Sequence, residues 1–330
     1  MSDHEMSGHD EMPGRGTPDP GPPVHEAPPP EPAGRVLTAS VPEEADGPPP
    51  CRTCGGGAPP GPDDGDRPYR NHPYGTPSYV YALGRVEPQF PSLGVEKEFA
   101  QAVGRAEAVD LTDRQTLQAV VADPRNRYLA RRLCYVLTVQ GLETYLVRPR
   151  DPVDFSLLVE ALGESRPTDL HGLVGLRGPL AAPGRCGGLA LPVVTFDQIF
   201  TFDTASLVRA LPRPEALEET RFRSAAEELF ERVMHLTDNA GASDAHRALN
   251  YLVVRYPSVY ARTAEAYAGG SSLTAIDTRP SRLSGTRNIL DVVFSYTGRT
   301  TDVTEKYFVR VDVTEEFPFL VTKLSPYYDR

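Results

Sequence analysis

Ile289-Leu290-Asp291-Val292-Val293-Phe294-Ser295-Tyr296 alternates in side-chain character, with Leu290, Val292, Phe294 and Tyr296 on one parity and Ile289, Asp291, Val293 and Ser295 on the other. Successive strand residues point to opposite faces, so a period of two argues a β-strand. Tyr307-Phe308-Val309-Arg310-Val311-Asp312-Val313 repeats the pattern, and the run from Phe317 to Leu324 offers a further strand. Immediately upstream the period changes. Phe222, Ala226, Leu229, Phe230 and Val233 form the apolar stripe of a helix, and Ser243 can cap the next, which carries Leu249, Leu252 and Val253.

Further toward the N-terminus, strands are expected from Leu173 to Leu176 and from Leu189 to Phe202. A helix is expected to start at Asp151-Pro152 and carry Leu157, Leu158 and Leu162. Leu133 to Val139 and Thr144 to Val147 flank Gln140-Gly141-Leu142-Glu143 and read as a hairpin. Thr112 with Gln115 opens a capped helix, and Val95, Phe99 and Val103 share the face of another. The first strand is Ser78-Tyr79-Val80-Tyr81-Ala82-Leu83. Strands, then helices, then strands again predict an α+β fold: a mixed, largely antiparallel sheet with a central helical segment over 78–330.

Residues 1–77 read differently. They are rich in Pro, Gly and acidic residues, including Pro28-Pro29-Pro30 and Pro48-Pro49-Pro50, and their few aliphatics cannot offset an ordering entropy of about 1–2 kcal/mol per residue. A disordered Pro/Gly-rich N-terminal tail carrying a CxxC knuckle is the expectation. Over 330 residues, 45 acidic against 34 basic side chains give a net charge of −11, which lacks the basic footprint of a nucleic-acid-binding protein. No apolar run reaches the about 18 residues of a membrane span, and the acidic N-terminus has no signal-peptide pattern. A cytoplasmic protein, with neither nucleic acid nor membrane as partner, is expected. In that reducing compartment a disulfide framework is the weaker reading of four cysteines.

The chemistry-bearing candidates are few. Cys51-Arg52-Thr53-Cys54-Gly55-Gly56 can supply two thiolates to a tetrahedral metal. The other ligands would be Cys134 and Cys186, the remaining cysteines, or a histidine such as His72 or His171. Four protein ligands leave no open position, so a Zn2+ held by Cys51, Cys54, Cys134 and Cys186 would be structural. Two alternatives stand beside it: free thiols in the tail with two buried small hydrophobes in the domain, and a redox pair. His246, with Asp244 nearby, is a candidate base, although a plain residue of the helix start after the capping signal is the favoured reading; His235 reads as a helix-face or last-turn residue of its helix. No Gly-x-Ser-x-Gly, His-Glu-x-x-His or Gly-Lys-Ser/Thr phosphate loop is present. Arg279, Arg282 and Arg287 concentrate positive charge in an acidic chain and can clamp a carboxylate, or serve as a solvated loop paired to internal acids. Asp312-Val313-Thr314-Glu315-Glu316 lacks calcium-loop spacing and reads as a strand-end cap.

Several strings resemble the C-terminal domain, of unknown function, of the cyanobactin maturation proteases of the PatG/PatA family. They are Tyr79-Val80-Tyr81-Ala82-Leu83-Gly84-Arg85-Val86-Glu87-Pro88, Val95-Glu96-Lys97-Glu98-Phe99, Gly141-Leu142-Glu143-Thr144-Tyr145, Pro149-Arg150-Asp151-Pro152, Asp238-Asn239-Ala240-Gly241-Ala242, His246-Arg247-Ala248-Leu249-Asn250-Tyr251-Leu252, and the run from Thr301 to Phe319. In that family the domain is joined to a subtilisin-like protease that processes ribosomal precursor peptides. Here the subtilisin-type Asp, His and Ser motifs are missing, so the resemblance implies no protease or macrocyclase activity. It implies a non-catalytic accessory or binding domain with the precursor peptide or a peptide-processing protease as partner, for which the residues themselves offer Arg279, Arg282, Arg287 and His246 as candidate contacts. It also strengthens the four cysteines as zinc ligands. A cryptic enzyme of the same pathway and a dimeric scaffold, a homodimer joined at a sheet edge, are the alternatives.

Overall fold

The computed structural model describes residues 78–104, 113–163 and 169–328. The tail, with Cys51, Cys54 and His72, and the expected cap Thr112 lie outside them. The α+β content and largely antiparallel pairing match the reading of the sequence. The strands, however, divide between two sheets rather than one.

The first sheet closes into a barrel in the order β1-β2-β3-β5-β4, from β1 (Tyr79–Gln89), β2 (Cys134–Val139), β3 (Leu142–Pro149), β4 (Asp169–Leu180) and β5 (Pro192–Asp203). β1 closes it by changing partners midway: Tyr79 to Gly84 pair with β4 and Arg85 to Gln89 with β2. The β2–β3 hairpin turns at Gln140 and Gly141, both at positive φ (51° and 81°), as a two-residue turn of primed type requires. β3 and β5 pair in parallel, Leu146 opposite Val193, across a connection that contains α4 (Phe155–Ala161) and β4. Residues 152–162 were expected to form one helix; the structure makes a 3₁₀ turn over Pro152–Asp154 before α4.

Helices α1 (Leu93–Val103), α2 (Asp113–Ala122) and α3 (Arg127–Arg132) join α4 over a core that includes Val80, Ala82, Phe99, Leu129, Leu137, Leu158 and Phe196. Ser92 caps α1 by accepting from Val95 N, and Val95 and Phe99 bury on the expected face.

The second sheet is an antiparallel meander of β6 (Ser271–Pro280), β7 (Ile289–Gly298), β8 (Thr304–Asp312) and β9 (Phe319–Pro326). Between the sheets run α5 (Thr204–Ala210), α6 (Glu219–Met234), α7 (Asp244–Arg255) and α8 (Ser258–Ala268). α7 packs against β1 on one side and β7 on the other. One core therefore joins Tyr81, Leu83 and Val174 of the barrel to Phe222, Leu229, Val233, Leu252 and Tyr260 of the helices and Val292, Phe294, Tyr296, Val309 and Val311 of the meander. β1 is buried on both faces, which explains its nearly unbroken apolar run. No helix among the described residues is long and apolar enough to cross a membrane.

Candidate functional site

Most of the strings that suggest a family, all but Val95-Glu96-Lys97-Glu98-Phe99 on α1, contribute residues to one joint between the barrel, α7 and the segment after β8. α7 starts at the Ser243 cap, whose Oγ accepts from His246 N at 3.1 Å. One turn on, Arg247 lies in the interior with its side chain 3% exposed. Its guanidinium donates to the carbonyls of Val313 (2.7 Å), Glu315 and Glu316 (3.3 Å), pairs with Asp244 at 3.2 Å and lies over the Tyr79 ring at 5.3 Å. Burial pulls its pKa down, opposed by Asp244. A buried cation of this kind is stable only when every neighbouring acceptor is aimed at it.

Asn250, one turn further, donates to the Tyr81 carbonyl (2.8 Å) and exchanges two hydrogen bonds with Asn239, at 2.8 and 3.1 Å. Tyr145 Oη donates to the Ala240 carbonyl at 2.9 Å, and Tyr81 N donates to Gly241 O at 2.9 Å. Gly241 sits at φ +71°, and a Cβ there would lie 2.2 Å from Tyr81 O, so only glycine lets this segment approach β1.

At the solvent edge of the joint, Arg150 bridges two carboxylates, Asp197 on β5 at 2.6 Å and Glu316 at 3.2 Å. Burial, with a hydrogen bond and like charge from Asp197, pushes the Glu316 carboxyl up to about 7 against the pull of Arg150. A buried carboxyl beside a second carboxylate is favoured in its protonated form, which is the direction of the shift. Neither Arg150 nor Asp197 was marked as a site residue in the sequence. Arg150 stands in a quoted string, but no spacing rule links it to residues 47 and 166 positions away.

The expected site residues are dispersed. His246 is half-buried, and burial lowers its pKa, with Asp238 acting the other way. Its ring makes no hydrogen bond among the described residues. His171 is fully buried and uses both ring nitrogens: Nδ1 accepts from Val86 N at 3.1 Å and Nε2–H donates to Ala161 O at 2.9 Å. It is a core histidine and not a metal ligand. His235 Nδ1 bonds the Glu231 carbonyl at 2.7 Å in the last turn of α6. Asp312 caps the segment after β8 as expected, its Oδ1 accepting from Thr314 N and Oγ1 at 2.8 and 2.6 Å.

Cys134, at the start of β2, and Cys186, between β4 and β5, are joined by a disulfide. The weaker reading of the cysteines is the one drawn here for this pair. A disulfide sulfur is not a thiolate, so in this state the pair does not fit zinc; two ligands become available only on reduction. Among the described residues no group of three or more His, Cys, Asp or Glu is arranged to hold a metal ion.

Of the three arginines expected on a loop, Arg279 lies within β6 and donates to Tyr327 Oη at 2.8 Å. Arg287 pairs with Asp312, and Arg282 is exposed with no ion-pair partner among the described residues.

The comparisons agree with this architecture. The model of the family described as "PatG C-terminal" matches residues 216–327, and that described as "PatG Domain" matches residues 79–270. A solved structure described as "PatG Domain of Unknown Function" is 20% identical, covers 76% of this chain and 98% of its own, and superposes with a TM-score of 0.61, a likeness of fold. No curated protein matches. Matched over more than half its length by one of these models, the chain belongs to the PatG domain family.

Proposed function

We propose that this protein is a non-catalytic accessory domain in the maturation of a ribosomally synthesised, post-translationally modified peptide of cyanobactin type, where it binds the precursor peptide or its processing enzyme in the cytoplasm. One observation supports this most directly: the residues of the family-like strings, Arg247, Asn239, Asn250 and Gly241, hold backbone segments together and present no nucleophile to solvent. Structural zinc on Cys51, Cys54, Cys134 and Cys186 belongs to this reading for the reduced protein.

A second reading, an acid–base enzyme of the same pathway, has the Asp197–Glu316 pair in its favour. Mass spectrometry separates the two. Incubation of the full chain with the precursor peptide is expected to yield a non-covalent complex with the peptide mass unchanged. A changed mass that is lost in Asp197→Asn would replace the binding reading by the enzymatic one.

A further inference from the structure

The face of the β6–β9 meander turned away from the helices carries a stiffened set of arginines. Register places Arg279, Asp291, Arg310 and Thr322 opposite one another across all four strands. Arg310 Nε donates to Asp291 Oδ1 at 2.8 Å and lies over Phe308 at 4.8 Å; Phe308 meets Tyr327 edge-on at 5.5 Å; Arg279 covers Tyr327 at 4.9 Å. One row away Arg287 lies over Phe319 at 5.2 Å and pairs with Asp312. The ring faces are thus occupied by guanidiniums, which fixes the arginines and leaves their outward N–H groups as the recognition chemistry.

The charge is layered by depth. Side chains of Asp312 and Asp291 are 2% and 11% exposed, against 49% and 25% for Arg287 and Arg310, and Arg282 stands free beside them. Solvent therefore meets more basic than acidic groups here, with Asp277 an exposed carboxylate on the same face, on a chain of net charge −11. Among the described residues β9 is an edge strand; Phe317 just before it and Phe319 at its start are exposed, and its Leu324 N is already taken by Tyr256 Oη at 2.9 Å.

We propose that this face docks an acidic, extended peptide segment, whose carboxylates accept from Arg279, Arg282 and Arg287. The inference rests on the peptide-binding function above and adds the chemistry and place of recognition.

The test is fluorescence anisotropy of the full chain with a fluorescein-labelled peptide of alternating Glu and Ala, beside its Gln counterpart. The Glu peptide binds, the Gln peptide does not, and Arg279→Ala with Arg282→Glu weakens binding by about tenfold or more, as the loss of two charge-assisted hydrogen bonds implies. Arg221→Glu, an exposed charge reversal on α6, stays within about twofold of the parent protein. Equal binding of the Gln peptide, an equal loss in Arg221→Glu, or tighter binding of a single-stranded oligonucleotide to the same face overturns the inference. Precursor binding that survives both face variants refutes this place and chemistry but keeps the accessory function. If the precursor peptide binds nowhere, peptide binding itself fails.

Discussion

Replacing Arg247 by Ala should be among the most damaging single changes to the domain. The guanidinium satisfies the carbonyls of Val313, Glu315 and Glu316 from a side chain that is almost wholly buried. Each acceptor left without a donor in a buried setting costs about 1–3 kcal/mol, and losing the buried charged partner outright costs about 3–5 kcal/mol, so the contributions are not summed separately. Water reaching the more exposed Glu315 end limits the loss, which places the expected destabilisation at about 3–5 kcal/mol. For a domain of this size that corresponds to a Tm lower by about 6–20 °C. Lys at 247 keeps the charge but cannot reach three diverging carbonyls, so it should recover about 1–2 kcal/mol. Urea unfolding followed by circular dichroism gives the values, and hydrogen exchange should show the segment after β8 opening first. A loss below about 1 kcal/mol for Arg247→Ala, or full recovery with Lys, would refute the view that this arginine pins that segment to α7.

Gly241→Ala should cost about 2–4 kcal/mol in the same assay, because the new methyl meets Tyr81 O and φ is positive; a neutral result would mean the backbone contact is dispensable. Glu316 carries a carboxyl raised to about 7 from 4.5, so the folded state binds more protons than the unfolded between those values. Its contribution is complete below about 4.5 and is lost as pH rises through about 7. A stability profile should fall over that window in the parent and flatten in Glu316→Gln; parallel profiles would contradict the raised Glu316 carboxyl. Cys134→Ser with Cys186→Ser should lower stability by about 4 kcal/mol under oxidising conditions, from a cross-link spanning 52 residues, and make no difference in excess reductant with a metal chelator present. In reductant, metal analysis should find about one zinc per chain, lost in both Cys51→Ser and Cys134→Ser. Equal zinc in the oxidised protein would assign it to other ligands.

Local patterns carried much of the fold. The stripe of Phe222, Ala226, Leu229, Phe230 and Val233, the Ser243 cap and the hairpin turn, expected over Gln140 to Glu143 and found at Gln140-Gly141, lie within a few residues of the structures they specify. β6 was illegible for a local reason too: the bulge between Leu273 and Ala275 breaks its alternation, and as an edge strand it buries little besides Leu273. Barrel closure was illegible for a non-local one. It depends on β1 dividing its length between β2 and β4 and on the parallel β3–β5 pair, neither of which leaves a periodic trace. The same holds for the site. Arg150, Asp197 and Glu316 are brought together by three different connections, whereas Asp312 with Thr314 is a two-residue motif and could be read directly.

The central claim, recognition of a peptide without chemistry on it, is tested most directly by hydrogen–deuterium exchange of the full chain with and without the precursor peptide, together with the peptide's mass. The account predicts slowed exchange in β6 and the 281–288 loop, with the peptide recovered at its starting mass. Protection centred on Asp197 and residues 313–318 with an altered peptide mass, or no protection anywhere, would contradict it.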